Sequence, residues 1–114
     1  MSRAPQTVEH ALGPIDRIPL GGGREFAVAG VRIAVFRPRA GGVRATAAEC
    51  PHRGGRMADG FTGMGAVVCP VHGWGFRLDT GEAVVGEGAI ACHPVRLGPG
   101  GEILVTLPAP ARTG

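Results

Sequence analysis

Lysine, asparagine and tyrosine are absent from this 114-residue chain, and serine occurs once, as Ser2. All twelve basic residues apart from histidine are arginines, a bias that a GC-rich genome produces without any functional cause. Four Phe and one Trp cannot supply stacking platforms, and the arginines are scattered rather than gathered into a stripe. Nucleic-acid binding is excluded on both counts. No apolar run approaches the ~18 residues of a membrane span, and Met1 to Leu12 has no apolar centre of signal-peptide length. The expected location is therefore the cytoplasm, with no membrane contact. Cysteines number only three, and in a reducing compartment they point to metal ligation before disulfides.

What is present is small, apolar and rich in turns. The length suits one domain. The 21 Gly and 10 Pro are spread between short apolar runs, so they read as tight turns of a loop-rich β protein. Residues 1–13 read as a polar N-terminal tail, 14–108 as the domain and 109–114 as a C-terminal tail. Phe26 and Val28 alternate with Glu25 and Ala27, and the larger apolar residues of the next run fall at 31, 33 and 35, both strand patterns. Further strands are expected at 43–47, 65–68, 76–78, 95–97 and 103–107, with 82–91 weakly patterned. The fold class is all-β, an antiparallel arrangement of about eight to ten short strands. Only 58–62 has room for a helical turn.

Two loops carry the chemistry: Cys50-Pro51-His52 and Cys69-Pro70-Val71-His72. Each offers one thiolate and one imidazole and continues into glycine, Gly54 and Gly55 in the first and Gly73 in the second. Proline after each cysteine pushes residues 50 and 69 towards extended backbone and stiffens the loop. Glycines beside the ligands let backbone N–H groups approach an anionic inorganic centre. Thiolate and imidazole together suit iron or zinc, so the four residues alone leave both open. Their order separates the two. Common zinc fingers take two cysteines from one element and two histidines from the next. Here each loop gives one of each, which suits a dinuclear site with both thiolates on one iron and both imidazoles on the other.

Cys50-X-His52, sixteen intervening residues, then Cys69-X-X-His72 resembles the Rieske 2Fe–2S signature. The resemblance continues through Gly73-Trp74, Phe76 and Thr80-Gly81 and covers roughly residues 14–107. It implies a Rieske-like stack of small antiparallel sheets with the cluster-binding loops at one tip. The 2Fe–2S cluster is the implied cofactor, with Cys50 and Cys69 on the inner iron and His52 and His72 on the outer. The implied activity is one-electron transfer without catalysis at the site. Family members that oxidise quinols carry an extra cysteine in each loop, Ser and Tyr hydroxyls at the cluster and a membrane anchor. None of these features is found here, so a potential near the lower end of roughly −150 to +300 mV is expected. Oxygenases that add a catalytic iron need two more His and a carboxylate, and only His10 and His93 remain.

The function expected is that of a monomeric ferredoxin carrying electrons from an NAD(P)H-dependent reductase to a terminal oxygenase. The alternative is the small subunit of an NAD(P)H-dependent nitrite reductase, bound to its large subunit. A zinc-stabilised interaction module without redox role is the reading from another class. Cys92 is read as a small buried apolar residue and His93 as a strand-end surface residue. Trp74 is expected to pack over the cluster or in plain core. Met57, Phe61 and Met64 are expected in the core, and Arg53 and Arg56 as solvated charge. With net charge +3 and pI about 9.3, an acidic docking face is expected on the partner.

Overall fold

The computed structural model describes residues 7–51, 55–71 and 73–108. Among them eleven strands form three antiparallel sheets. The first joins β1 (Thr7–Pro14), β11 (Glu102–Pro108) and β10 (Val95–Leu97), with β11 in the middle. The second runs β2 (Gly23–Val28), β3 (Val31–Phe36), β4 (Arg44–Ala47) and β9 (Cys92–His93). The third is the meander β5 (Phe61–Gly63), β6 (Ala66–Val68), β7 (Gly75–Arg77) and β8 (Ala83–Val85). The helical turn falls at Met57–Asp59, and a second short turn at Ile15–Arg17. None of the described helices is long and apolar enough to cross a membrane.

The second sheet lies between the other two, and β3 is its shared wall. Ile33 and Val35 face one core, with Leu12, Val28, Ile103, Val105 and Leu107. Ala34 and Phe36 face the other, with Met57, Val67, Phe76 and Ile90. Alternation along β3 thus separates two apolar faces rather than an apolar and a polar one. The expected antiparallel stack is what the chain forms.

Residues 7–13 are not a tail. β1 pairs with β11 from Thr7↔Pro108 to Ala11↔Leu104 and again at Pro14↔Glu102. Its hold is mostly backbone hydrogen bonding, since Val8 is exposed and only Leu12 is buried, so little apolar pattern announces it. Strands number more than the expected eight to ten because β5 and β9 are too short to display alternation. The core assignment holds for Met57 and fails for two of its companions. Phe61 is 72% exposed, and Met64 lies fully in solvent at a two-residue turn. At that turn Met64 and Gly65 both have positive φ, 50° and 76°, the geometry that joins two tightly paired strands.

Candidate metal centre

The two loops are built alike. In the first, the Cys50 N–H donates to the carbonyl of Gly55 at 2.7 Å. In the second, the Cys69 N–H donates to the carbonyl of Trp74 at 2.7 Å, and the Gly73 N–H donates back to Cys69 at 3.0 Å. Each cysteine therefore opens a hairpin that it closes itself, five residues on. A Glu49–Arg56 bridge and the Met57 N–H to Ala48 carbonyl bond, 3.0 Å, continue the first hairpin downward. The second grows out of β6 and returns as β7, with Val68 paired to Gly75.

These hairpins meet. A Cβ built on Gly55 would lie 2.8 Å from the Sγ of Cys69 and 2.6 Å from the Cγ2 of Val71, so only glycine lets the first loop rest against the second. Cys50 and Cys69 are 3% and 2% exposed and belong to the same core as Phe36, Met57 and Phe76. Among the described residues no disulfide joins the cysteines. Pro51, Pro70 and Val71 are exposed at the loop tips. His52, Arg53, Gly54 and His72 lie outside the described residues.

Around the loops, Trp74 tilts at 48° to Phe76 with ring centroids 6.5 Å apart. Its ring abuts Gly86, where a Cβ would fall 2.6 Å from Cε3. The segment 82–91, weakly patterned in sequence, thus covers Trp74 and returns Ile90 to the core beneath the loops. The sequence reading missed this cover. Its one signal is the pair Gly86 and Gly88, both at positive φ. Below the first loop, Arg32 holds Glu25 at 3.0 Å and Glu49 at 3.2 Å, and the Arg32 guanidinium keeps the Glu25 carboxyl below its ordinary range. Arg56 is 59% exposed and reaches only 3.7 Å to Asp59 and 3.9 Å to Glu25, the weak pairs of a solvated charge.

Cys92 stands apart from the two loops, on β9. It is half-buried rather than buried; its thiol donates to the carbonyl of Leu78 at 3.7 Å, and burial pushes its pKa up. His93 is half-buried beside it, and burial lowers its pKa.

The profile of the Rieske [2Fe-2S] domain family matches residues 9–97. The chain belongs to that family. Its cofactor is accordingly a Rieske-type 2Fe–2S cluster, and its chemistry is electron transport. The residues present fit such a group: two buried thiols on facing hairpins, and a glycine where a side chain would close the gap. Among curated relatives, the Rieske chain is 36% identical over 66 residues to the cholesterol 7-desaturase of Xenopus laevis. That match covers 57% of this chain and 14% of the relative, so the chain spans about one seventh of that enzyme's length. Among solved structures, a Mycobacterium tuberculosis protein assigned as the small subunit of an NADH-dependent nitrite reductase superimposes with TM-score 0.83 and 26% identity. It covers 91% of this chain and 98% of its own. The ferredoxin of carbazole 1,9a-dioxygenase from Nocardioides aromaticivorans gives TM-score 0.76 at 24% identity, over 85% and 95% of the two chains, a likeness of fold.

Proposed function

We propose that this Rieske protein is a ferredoxin, taking single electrons from an NAD(P)H-dependent reductase and passing them to a terminal oxygenase. Cys50 and Cys69 hold the inner iron and His52 and His72 the outer one, and the chain performs no catalysis of its own. The cluster supplies a one-electron couple at the loop tips. The two cysteines bind it as thiolates from hairpins that their own N–H groups close, and Pro51 and Pro70 limit how far those hairpins flex. Trp74 and its Gly86 cover keep water from the side of the second loop. The contact of Gly55 with Cys69 carries the reading, since it brings the two ligand loops face to face.

The test is an EPR-monitored redox titration of the purified protein, with iron and acid-labile sulfide measured beside it. A reduced-state signal with the low average g of mixed His/Cys ligation is expected, titrating near the bottom of roughly −150 to +300 mV. A midpoint well above zero would contradict the carrier described. Zinc with no sulfide and no signal would leave the interaction module.

A second reading has one observation in its favour: the nitrite reductase small-subunit likeness spans nearly the full length of both chains. That reading has the same cluster serving as a fixed relay inside a larger enzyme. It predicts co-purification with a large haem-containing chain, whereas the ferredoxin elutes alone as a monomer.

A further inference from the structure

We propose that the groove between the 38–42 turn and the Met64–Gly65 turn is a docking site for an acidic segment of a protein partner. Two adjoining cavities, 430 and 310 Å³, make up this groove and share Pro38, Ala40, Met64, Gly65 and Leu78 as walls. The floor is apolar. Its charge is positive on balance: Arg39 lines one end, and Arg44, Arg77 and the single carboxylate Asp79 the other.

The state of those arginines favours an acidic occupant. Arg77 is already satisfied by Asp79 at 2.9 Å. Arg39 and Arg44 are exposed, and among the described residues neither guanidinium has an ion pair or hydrogen bond. Arg17, Arg24, Arg32, Arg37, Arg56 and Arg96, by contrast, each hold a carboxylate, a carbonyl or an aromatic face. Two unpaired guanidiniums flanking an apolar trough fit carboxylates on either side of an apolar side chain.

Met64 is the second observation. Asparagine, aspartate or glycine would occupy its left-handed conformation at little cost, whereas methionine is strained there and fully exposed. Turn geometry does not select it. A flexible thioether projecting over both cavities is instead suited to gripping a partner's apolar side chain.

The chain's own tails are poor candidates for this groove. Residues 1–6 and 109–114 carry Arg3 and Arg112 and no acidic side chain. A second copy is disfavoured by the net charge of +3 on each. The three-residue strand β6 separates the groove from Cys69, about 10 Å at the ordinary rise of a strand. No residue of either cysteine loop lines the groove. The groove lies outside those loops, so the proposal stands apart from the ligand assignment.

The experiment titrates ¹⁵N-labelled oxidised holoprotein with the capped pentapeptide Glu-Leu-Glu-Leu-Glu and follows amide shifts. Saturable shifts confined to the groove's own segments, 39–44, 62–66, 77–79 and 84, are expected, weakening as salt is added. Replacing both cations (Arg39→Gln with Arg44→Gln) should raise Kd about tenfold. Met64→Gly, which relaxes the turn and keeps the fold, should raise it about threefold. Arg24→Gln, on β2, should change nothing. Shifts scattered over the whole surface, no shifts at millimolar peptide, or equal loss in Arg24→Gln would overturn the proposal. So would acetate competing as well as the peptide, which would make the groove a simple anion site.

Discussion

Gly55 and Cys69 stand so close that a methyl group on the glycine would lie 2.8 Å from the sulfur. The Gly55→Ala variant must push the two loops apart or turn the thiol away. It should retain the cluster about tenfold less well than wild type, with far-UV dichroism unchanged. Iron and acid-labile sulfide per chain give the answer. Gly63→Ala is the control, since nothing lies within 4 Å of the added carbon. Full cluster content in Gly55→Ala would mean that the contact is not needed.

The Trp74 cover gives a matched pair of substitutions. Gly86 and Gly88 both have positive φ, 95° and 83°, so alanine at either strains the backbone by about 1 kcal/mol. Only at Gly86 does the new carbon also run into the Trp74 ring. Overpacking of that kind adds about 1–3 kcal/mol. The thermal midpoint of Gly86→Ala should fall at least about 4–8 °C below that of Gly88→Ala. Equal midpoints would show that Trp74 moves away freely.

β1 is tested through Leu12, the buried residue of that strand. Leu12→Ala should cost about 2–3 kcal/mol in urea unfolding. Val8→Ala, on the exposed face, should cost well under about 1 kcal/mol. If both were neutral, the strand would contribute nothing and the first thirteen residues would behave as a tail after all.

His93 sets a pH dependence. Burial lowers its pKa, so as pH falls through about 6.5 the unfolded chain takes up the proton before the folded chain does. Stability is unaffected above that pH and declines below it, until the folded imidazole is protonated too. The midpoint of His93→Gln should therefore gain on wild type between pH 7.5 and 5.5. A gap between the two that stays constant over that range would remove His93 as the cause.

Membership of the family was readable in the sequence because its motif resides in a few residues at short spacing, Cys50, His52, Cys69 and His72, and the structure brings the loops of the two cysteines together. The all-β stack was readable for a different reason, since glycines and prolines divide the apolar runs into strand lengths. What escaped was decided by partners far along the chain. β1 owes its place to β11, the last strand of the described chain. The exposure of Phe61 follows from which face of a three-residue strand meets the core, and Met64 projects because of the turn it occupies. Gly86 gives no hint of Trp74 until β7 and β8 are laid side by side. Local composition carries none of these.

β3 leaves a last consequence. A slip of one residue would exchange Ile33 and Val35 for Ala34 and Phe36 across the middle sheet, underfilling one core position and overfilling the next on both sides. Each core therefore vetoes the errors of the other. The first cysteine loop follows β4, which is paired to β3, so the register of β3 bears on that loop as well. The alternation of that one strand is thus held from both of its faces at once.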